Sequence, residues 1–255
     1  MEILRVENLS KAFKKFKVID DINLSFEKNE IFTLMGQSGT GKSVFLKLVL
    51  GLLKPDKGRI IFQGEEITHA SDQAWIEIRK EMGMLFQNGA LFDSLNVFEN
   101  VSFLLTEHLN IPHEEKVERV YKLLMEVGLK GIEELYPSEL SGGMQKRVAL
   151  ARTIALNPAL LFYDEPITGL DPITAAVIIR LIRDLNKKNK ITSIIVSHSI
   201  KTSLEISDRL GLLYRGKLVA LEEAEDIKNS KNKYLKQFIE GSTKGPIEVF
   251  LEETV

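Results

Sequence analysis

The chain has 255 residues, a formal net charge of −2 and no cysteine. That length suits one large α/β domain or a domain with a subdomain, and the charge gives no bulk electrostatic case for nucleic acid. The absence of cysteine excludes disulfides, thiolate catalysis and cysteine-type zinc sites, and permits a reducing cytoplasm. The N-terminal run Met1-Glu2-Ile3-Leu4-Arg5-Val6-Glu7 contains acids and no long apolar core, so it does not read as a secretory signal. No stretch reaches about 18 uninterrupted apolar residues, so none is expected to span a bilayer, and a membrane role would run through a partner.

Residues 2–7 and 18–26 alternate like strands, with Ile22, Leu24 and Phe26 on one face. Between them, Lys11-Ala12-Phe13-Lys14-Lys15-Phe16-Lys17 is basic with two aromatics. Phe13 or Phe16 could stack on an adenine ring; the segment also reads as a solvated turn with one core aromatic.

The apolar run Ile31-Phe32-Thr33-Leu34-Met35 predicts a buried strand. It leads into Gly36-Gln37-Ser38-Gly39-Thr40-Gly41-Lys42-Ser43, an ungapped match to the phosphate-binding loop G-x-x-x-x-G-K-[ST], and then into a helical run from Val44 to Leu50. Nucleoside triphosphate is a chain of anions. Glycines let backbone N–H groups approach its phosphates, and the helix N-terminus adds orphan donors and a positive dipole end. Lys42 can bridge the β- and γ-phosphates, and the Ser43 hydroxyl is a hard oxygen ligand suited to Mg²⁺.

Lys54-Pro55-Asp56-Lys57-Gly58 predicts a turn, residues 59–62 a short strand, Gln63-Gly64 a second turn, and residues 74–80 a helix. Residues 82–86 read as a strand ending at Gln87. Trp75 is assigned to the core. His69, His108 and His113 have no metal-ligand spacing and read as surface or capping residues.

From Asn88 the pattern turns helical. Asn96 and Glu99 have capping-box spacing, and Val117, Val120, Tyr121, Leu124 and Met125 predict an amphipathic helix over 114–127 that Gly128 ends. Leu140-Ser141-Gly142-Gly143-Met144-Gln145 precedes a helix running to about Asn157. Strand character returns at residues 159–163, followed by Asp164-Glu165-Pro166. Asp171 can cap the next helix, with Pro172 at its first position and Ala176, Val177, Ile179 and Leu181 as its apolar residues. Lys187-Lys188-Asn189-Lys190 reads as its solvated end. Residues 191–196 form a buried strand delivering Ser197-His198, and 210–214 with 217–221 form a hairpin about Arg215-Gly216. The remainder is mainly helical, then a polar tail from Gly241 containing Gly245-Pro246.

Two further sites follow. Ligands of open parallel sheets bind at the carboxyl ends of strands, which puts the Asp164 carboxylate in place to hold Mg²⁺ and Glu165 in place to polarise an attacking water. Ser141-Gly142-Gly143 before a helix makes a second anion cradle. Two phosphate-gripping surfaces in one chain suggest ATP sandwiched between two subunits.

Residues 36–43, Gln87, 140–145, 163–166, Gly169-Leu170-Asp171-Pro172 and Ser197-His198 stand in the order and rough spacing of an ABC-type ATPase, which the chain resembles over about residues 2–225. The resemblance implies an α/β fold: a P-loop NTPase core (1–87 and 158–240) with an antiparallel β subdomain and an inserted helical subdomain (about 88–157), then a tail (241–255). It implies that Phe13 stacks on adenine and that Gln87 contacts Mg²⁺ and the attacking water. Ser141, Gly142 and Gly143 would close the neighbouring subunit's ATP, Glu165 would be the catalytic base, Asp171 would lie at the dimer seam, and His198 would contact the γ-phosphate. Many relatives follow that histidine with Asp; here it is Ser199.

Residues 83–101, with Pro137-Ser138-Glu139-Leu140-Ser141-Gly142-Gly143-Met144, Asp171-Pro172-Ile173-Thr174 and, more weakly, the tail with Gly245-Pro246, resemble the ATPase subunits of bacterial Mce/Mla-type phospholipid transporters. That branch implies a head-to-tail homodimer on the cytoplasmic face of the inner membrane, with two ATP and Mg²⁺. It implies permease subunits meeting about residues 87–105, an Mce-domain lipid-binding partner, no nucleic acid, and a tail reaching across to the other subunit. Leu91, Phe92, Val97 and Phe98 are the candidate exposed patch for the permease, or internal packing of the helical block. The alternative is a regulatory ABC ATPase of a cell-division or envelope complex, or an ABC ATPase for another substrate.

Overall fold

The two alternating segments at the start of the chain join into one long antiparallel hairpin. In the computed structural model, which describes residues 1–248, β1 (Glu2–Phe13) and β2 (Phe16–Glu27) pair until Phe13 faces Phe16 across the turn. The basic segment is therefore the hairpin's end, and neither of its aromatics is in the core. The strand β3 (Ile31–Met35) is buried at every position and feeds the glycine loop, after which α1 (Lys42–Val49) begins. Then β4 (Lys57–Phe62) adds to β1, and the short β5 (Glu65–Glu66) to β4, giving the antiparallel order β2-β1-β4-β5. The apolar positions of the hairpin face inward, where the Phe26 ring meets Phe32 edge-on at 5.0 Å and Phe45 of α1 at 6.4 Å.

Contacts divide the chain into two units, residues 1–69 with the chain from 196 onward, and residues 70–195. The second unit begins with α2 (Asp72–Lys80), capped by Ser71, whose Oγ accepts the Ala74 N–H at 3.2 Å, and Trp75 is buried as expected. β6 (Met82–Leu85) follows. Next, α3 (Val97–His108) opens with the capping box that the sequence signalled: the Glu99 N–H donates to Asn96 Oδ1 at 2.8 Å, and the Asn96 N–H to Glu99 Oε2 at 2.9 Å. In α4 (His113–Glu126) the buried stripe is Val120, Leu123 and Leu124, whereas Tyr121 and Met125, expected on that face, are exposed. The apolar period is right but the face is rotated, because Leu123 completes the i, i+3, i+4 set.

The helix α5 (Gly142–Thr153) and the strand β7 (Leu160–Asp164) come next, with β7 parallel to β6 in the register Met82↔Leu160 to Leu85↔Tyr163. In α6 (Pro172–Asn189) the Asp171 carboxylate accepts the N–H groups of Ile173 and Thr174, each at 3.0 Å. Its buried apolar residues are Ile178, Ile179, Ile182 and Leu185, so Ala176 and Val177, read as part of its apolar set, face outward instead. β8 (Thr192–Ser197) lies beside β7, in the order β8-β7-β6.

Back in the first unit, α7 (Ile200–Ile206) precedes β9 (Arg209–Tyr214), which runs parallel to β3. β9 turns through Arg215-Gly216 into β10 (Lys217–Glu223), giving the order β10-β9-β3. After α8 (Lys233–Glu240), residues 242–248 fold back onto their own unit, where Ile247 joins a buried cluster with Met35, Leu210, Leu212, Ala220, Ile227 and Leu235. The remainder of the expected tail, residues 249–255, lies outside the described residues. No helix among the described residues is long and apolar enough to cross a membrane.

Candidate functional site

The first unit holds the phosphate loop. It leaves β3 at Met35 and turns through Gly36 and Gly41, where an added Cβ would stand 2.5 Å from the Leu213 carbonyl and 2.5 Å from the Val18 carbonyl respectively. The loop is thus pressed against β9 and β2, and only glycine allows it. Gly41 takes φ +107° at the N-cap of α1, which has no side-chain cap and no acid in its first turn. Those first N–H groups and the dipole are an anion site by construction. Lys42 is 8% exposed and its ammonium donates to the carbonyls of Gly36 at 2.8 Å and Gln37 at 2.9 Å, so the charge sits within the curl of the loop. Thr40 closes the curl by donating from its hydroxyl to the Gln37 carbonyl at 2.9 Å. Gln37, Ser38, Gly39 and Ser43 are exposed.

At the hairpin end both aromatic candidates have open rings. Phe13 is 44% exposed with the Lys11 ammonium 5.7 Å from its centroid, and Phe16 is 77% exposed. His198 follows β8 and is exposed. The position after it, Ser199, is well satisfied without an aspartate. Its N–H donates to Ser197 Oγ at 3.0 Å, its hydroxyl lies 3.0 Å from Thr202 Oγ1, and its carbonyl accepts from Ser203 Oγ at 2.7 Å.

The second unit holds Gln87, Asp164, Glu165, Asp171 and residues 141–143. The parallel register sets Leu85 opposite Tyr163, so Gln87 and Glu165 each stand two residues past a matched pair, at the same end of adjacent strands. Asp164 and Glu165 are half-buried. Glu165 takes φ +49°, uncommon for a residue with a Cβ, and its carboxylate accepts from Thr168 Oγ1 at 3.2 Å. Ser141 caps α5, its Oγ accepting the Met144 N–H at 3.3 Å. Gly143 is buried with an added Cβ blocked by the Thr174 side chain, and Gly142 lies against Leu170. The starts of α5 and α6 are therefore side by side, which brings residues 141–143 to the segment of Asp171.

Three residues hold the segment after Gln87, and no sequence motif pointed to them. Asn100 is fully buried and its amide donates to the carbonyls of Phe92, Leu95 and Asn96 at 2.9–3.0 Å while accepting the Phe92 N–H at 2.9 Å. Arg152 donates to the Gly89 carbonyl at 2.9 Å and lies over the Phe92 ring at 5.3 Å. Lys146, 5% exposed, donates to the Gln87 carbonyl. The available hint was a basic residue on the apolar period of α5. Of the four candidate patch residues, Phe92 is exposed and Leu91 and Phe98 are half-buried, but Val97 is fully buried and belongs to the core. Beside Phe92 an open cleft of about 420 Å³ is lined by Met84, Phe86, Phe92, Leu104 and Arg152, among others.

Ser43, Gln87 and Asp164 are hard oxygen donors of the type Mg²⁺ takes. Among the described residues no group of three or more His, Cys, Asp or Glu is built to hold a metal alone. Each is a donor of the kind that suits an ion completed by phosphate and water oxygens.

Residues 19–168 match the ABC transporter family. The chain is 42% identical over 245 residues to the intermembrane phospholipid transport system ATP-binding protein MlaF of Haemophilus influenzae, covering 96% of this chain and 93% of that protein. It is 41% identical over 244 residues to the probable ribonucleotide transport ATP-binding protein mkl of Mycobacterium tuberculosis, covering 96% of this chain and 68% of that one. Its fold is similar to that of the ATP-binding cassette MJ0796, solved as a dimer in a post-hydrolysis state with ADP and Pi, at a TM-score of 0.81 and 29% identity over 87% of this chain and 99% of that one. It is also similar to cbiO1 of Clostridium perfringens, part of an ABC transporter complex, at a TM-score of 0.83 and 29% identity over 92% and 94% of the two chains. The chain belongs to the ABC transporter family, and it is an ATP-binding, ATP-hydrolysing cassette of that family.

Proposed function

We propose that this cassette energises phospholipid transport between the inner membrane and the outer envelope through a separate permease. The observation that carries this reading is the near end-to-end relation to MlaF, whose name assigns intermembrane phospholipid transport, at 42% identity over 93% of its length. The relation to mkl covers less of that protein.

The roles are those that membership of the family implies for each residue. Lys42 and the N–H groups of residues 36–43 bind the β- and γ-phosphates, and Phe13 stacks on the adenine. Ser43, Gln87 and Asp164 would hold Mg²⁺, which when bound neutralises phosphate charge. Glu165 takes the proton of the attacking water as the bond to the γ-phosphorus forms and ADP leaves. His198 contacts the γ-phosphate. Two copies assemble head to tail, with Ser141, Gly142, Gly143 and Asp171 of one meeting the nucleotide side of the other. The open cleft beside Phe92 is the docking surface for the permease, an Mce-domain protein completes the assembly, and the cassette works on the cytoplasmic face. In this reading residues 1–87 and 158–240 form the core, about 88–157 the helical subdomain, and 241–255 the tail.

The test is a detergent pull-down of tagged chain from its own membranes, with mass spectrometry of proteins and lipids. A permease, an Mce-domain protein and phospholipid are expected. A permease that carries nucleotides instead would replace the lipid reading by the one mkl suggests, and recovery of a cell-wall hydrolase regulator would point to signalling.

A further inference from the structure

We propose that Lys146 is a positioning residue for Gln87, fixing the loop after β6 from the helix that starts at Ser141. The inference rests on the role given to Gln87 above. Lysine is almost never this buried without a partner, and an unpaired ammonium at 5% exposure would be costly. Its ammonium donates to the Gln87 carbonyl. One side chain on α5 therefore grips the loop that carries Gln87.

The rest of the same helix face repeats the grip. Ala149 lies under Gly89, where an added Cβ would be 3.3 Å from its own Cβ. Arg152 donates to the Gly89 carbonyl at 2.9 Å, and Thr153 to the Met84 carbonyl at 3.4 Å. Positions 146, 149, 152 and 153 share one side of a helix, so residues 84–92 rest on α5 rung by rung. The first rung is Lys146, about a turn and a half from Ser141. A displacement of α5 at its start is carried to the Gln87 backbone through that bond. A residue serving only to fill space here would need no charge, and methionine would replace it.

The test is a double-mutant cycle on the ATPase activity of the purified full chain, with Lys146→Met, Gln87→Ala and the pair. Lys146→Met is expected to lower kcat on the order of tenfold, as loss of a partner that orients an acting group does, with KM for ATP changed less than about twofold. Lys146→Arg, which keeps a charged donor, recovers most of it. In the Gln87→Ala background, Lys146→Met adds little, because the group it positions is gone. Multiplicative losses, or wild-type kcat in Lys146→Met while Gln87→Ala is impaired, overturn the proposal. Wild-type kcat in Gln87→Ala overturns the Gln87 role itself, and the two failures are thus separate. Should Lys146→Met not fold, Lys146→Gln runs the same cycle.

Discussion

Gln237 holds both backbone groups of Ile247: the Ile247 N–H donates to its Oε1 at 2.7 Å, and its Nε2 donates to the Ile247 carbonyl at 2.9 Å. Ile247 itself is 4% exposed, and beyond it the Glu248 carboxylate meets Arg215 at 2.5 Å. The segment after α8 is thus bound in cis by a buried amide, an apolar socket and an ion pair at the β9–β10 turn. Ile247→Ala removes the apolar part, which for a buried isoleucine costs about 2–4 kcal/mol where the site cannot collapse. Because few residues are involved, the loss appears as local release. Tryptic cleavage after Lys244 is expected to accelerate at least tenfold, and an unchanged cleavage rate would show that the socket does not hold the segment.

Lys42→Ala tests the phosphate loop. The ammonium donates to two loop carbonyls, so its removal takes away the phosphate contact and the tie that shapes the curl. Nucleotide binding, measured by calorimetry, is expected to vanish at concentrations that saturate the wild type. Affinity within about threefold of wild type would place the phosphates elsewhere, since a charge-assisted bond is worth roughly 1.5–3 kcal/mol.

The loop and caps were legible in the sequence because each is local. A glycine pattern, an Asn96–Glu99 spacing or an Asp171-Pro172 pair specifies backbone geometry within a few residues. What was not legible depends on which neighbour arrives. Val97 and Phe98 stand side by side between Asn96 and Glu99, and the sequence does not say which of them α3 turns inward; Val97 is fully buried while Phe92 is 42% exposed. Tyr121 and Met125 fit the helical period of α4 as well as the buried Leu123 does, and packing alone decides among them. Lys146 is the strongest case. Its partner is a backbone carbonyl 59 residues away, and no side-chain pattern announces a carbonyl.

Glu165→Gln keeps the shape of the side chain and the contact with Thr168, and removes the basic oxygen. Hydrolysis is expected to fall about 10²–10⁴-fold, the usual contribution of a positioned base, while ATP binding is retained. With ATP bound and not consumed, the closed pair of cassettes accumulates, and size-exclusion chromatography with light scattering reads it as a dimer. A monomer that hydrolyses ATP at the wild-type rate would remove Glu165 from the chemistry.

Glu30 gives a pH dependence whose sign is fixed by burial. It is 7% exposed, accepts the Glu27 N–H at 2.7 Å and lies 3.1 Å from Arg209. Burial pushes its carboxyl above the ordinary value of 4.5, and the Glu27 N–H and Arg209 only partly offset this. Between the ordinary and folded values the folded chain holds the proton more tightly than the unfolded chain. The stability this contributes is fully present below about pH 4.5 and is lost as pH rises through the folded value. Glu30→Gln cannot titrate. The thermal midpoint of the wild type, measured relative to that variant, therefore falls as pH is raised from about 4.5 and levels off above the folded value. A wild type that instead gains on the variant over that interval would mean that the pair with Arg209 outweighs desolvation, and that Glu30 is held as an ion by the charge beside it.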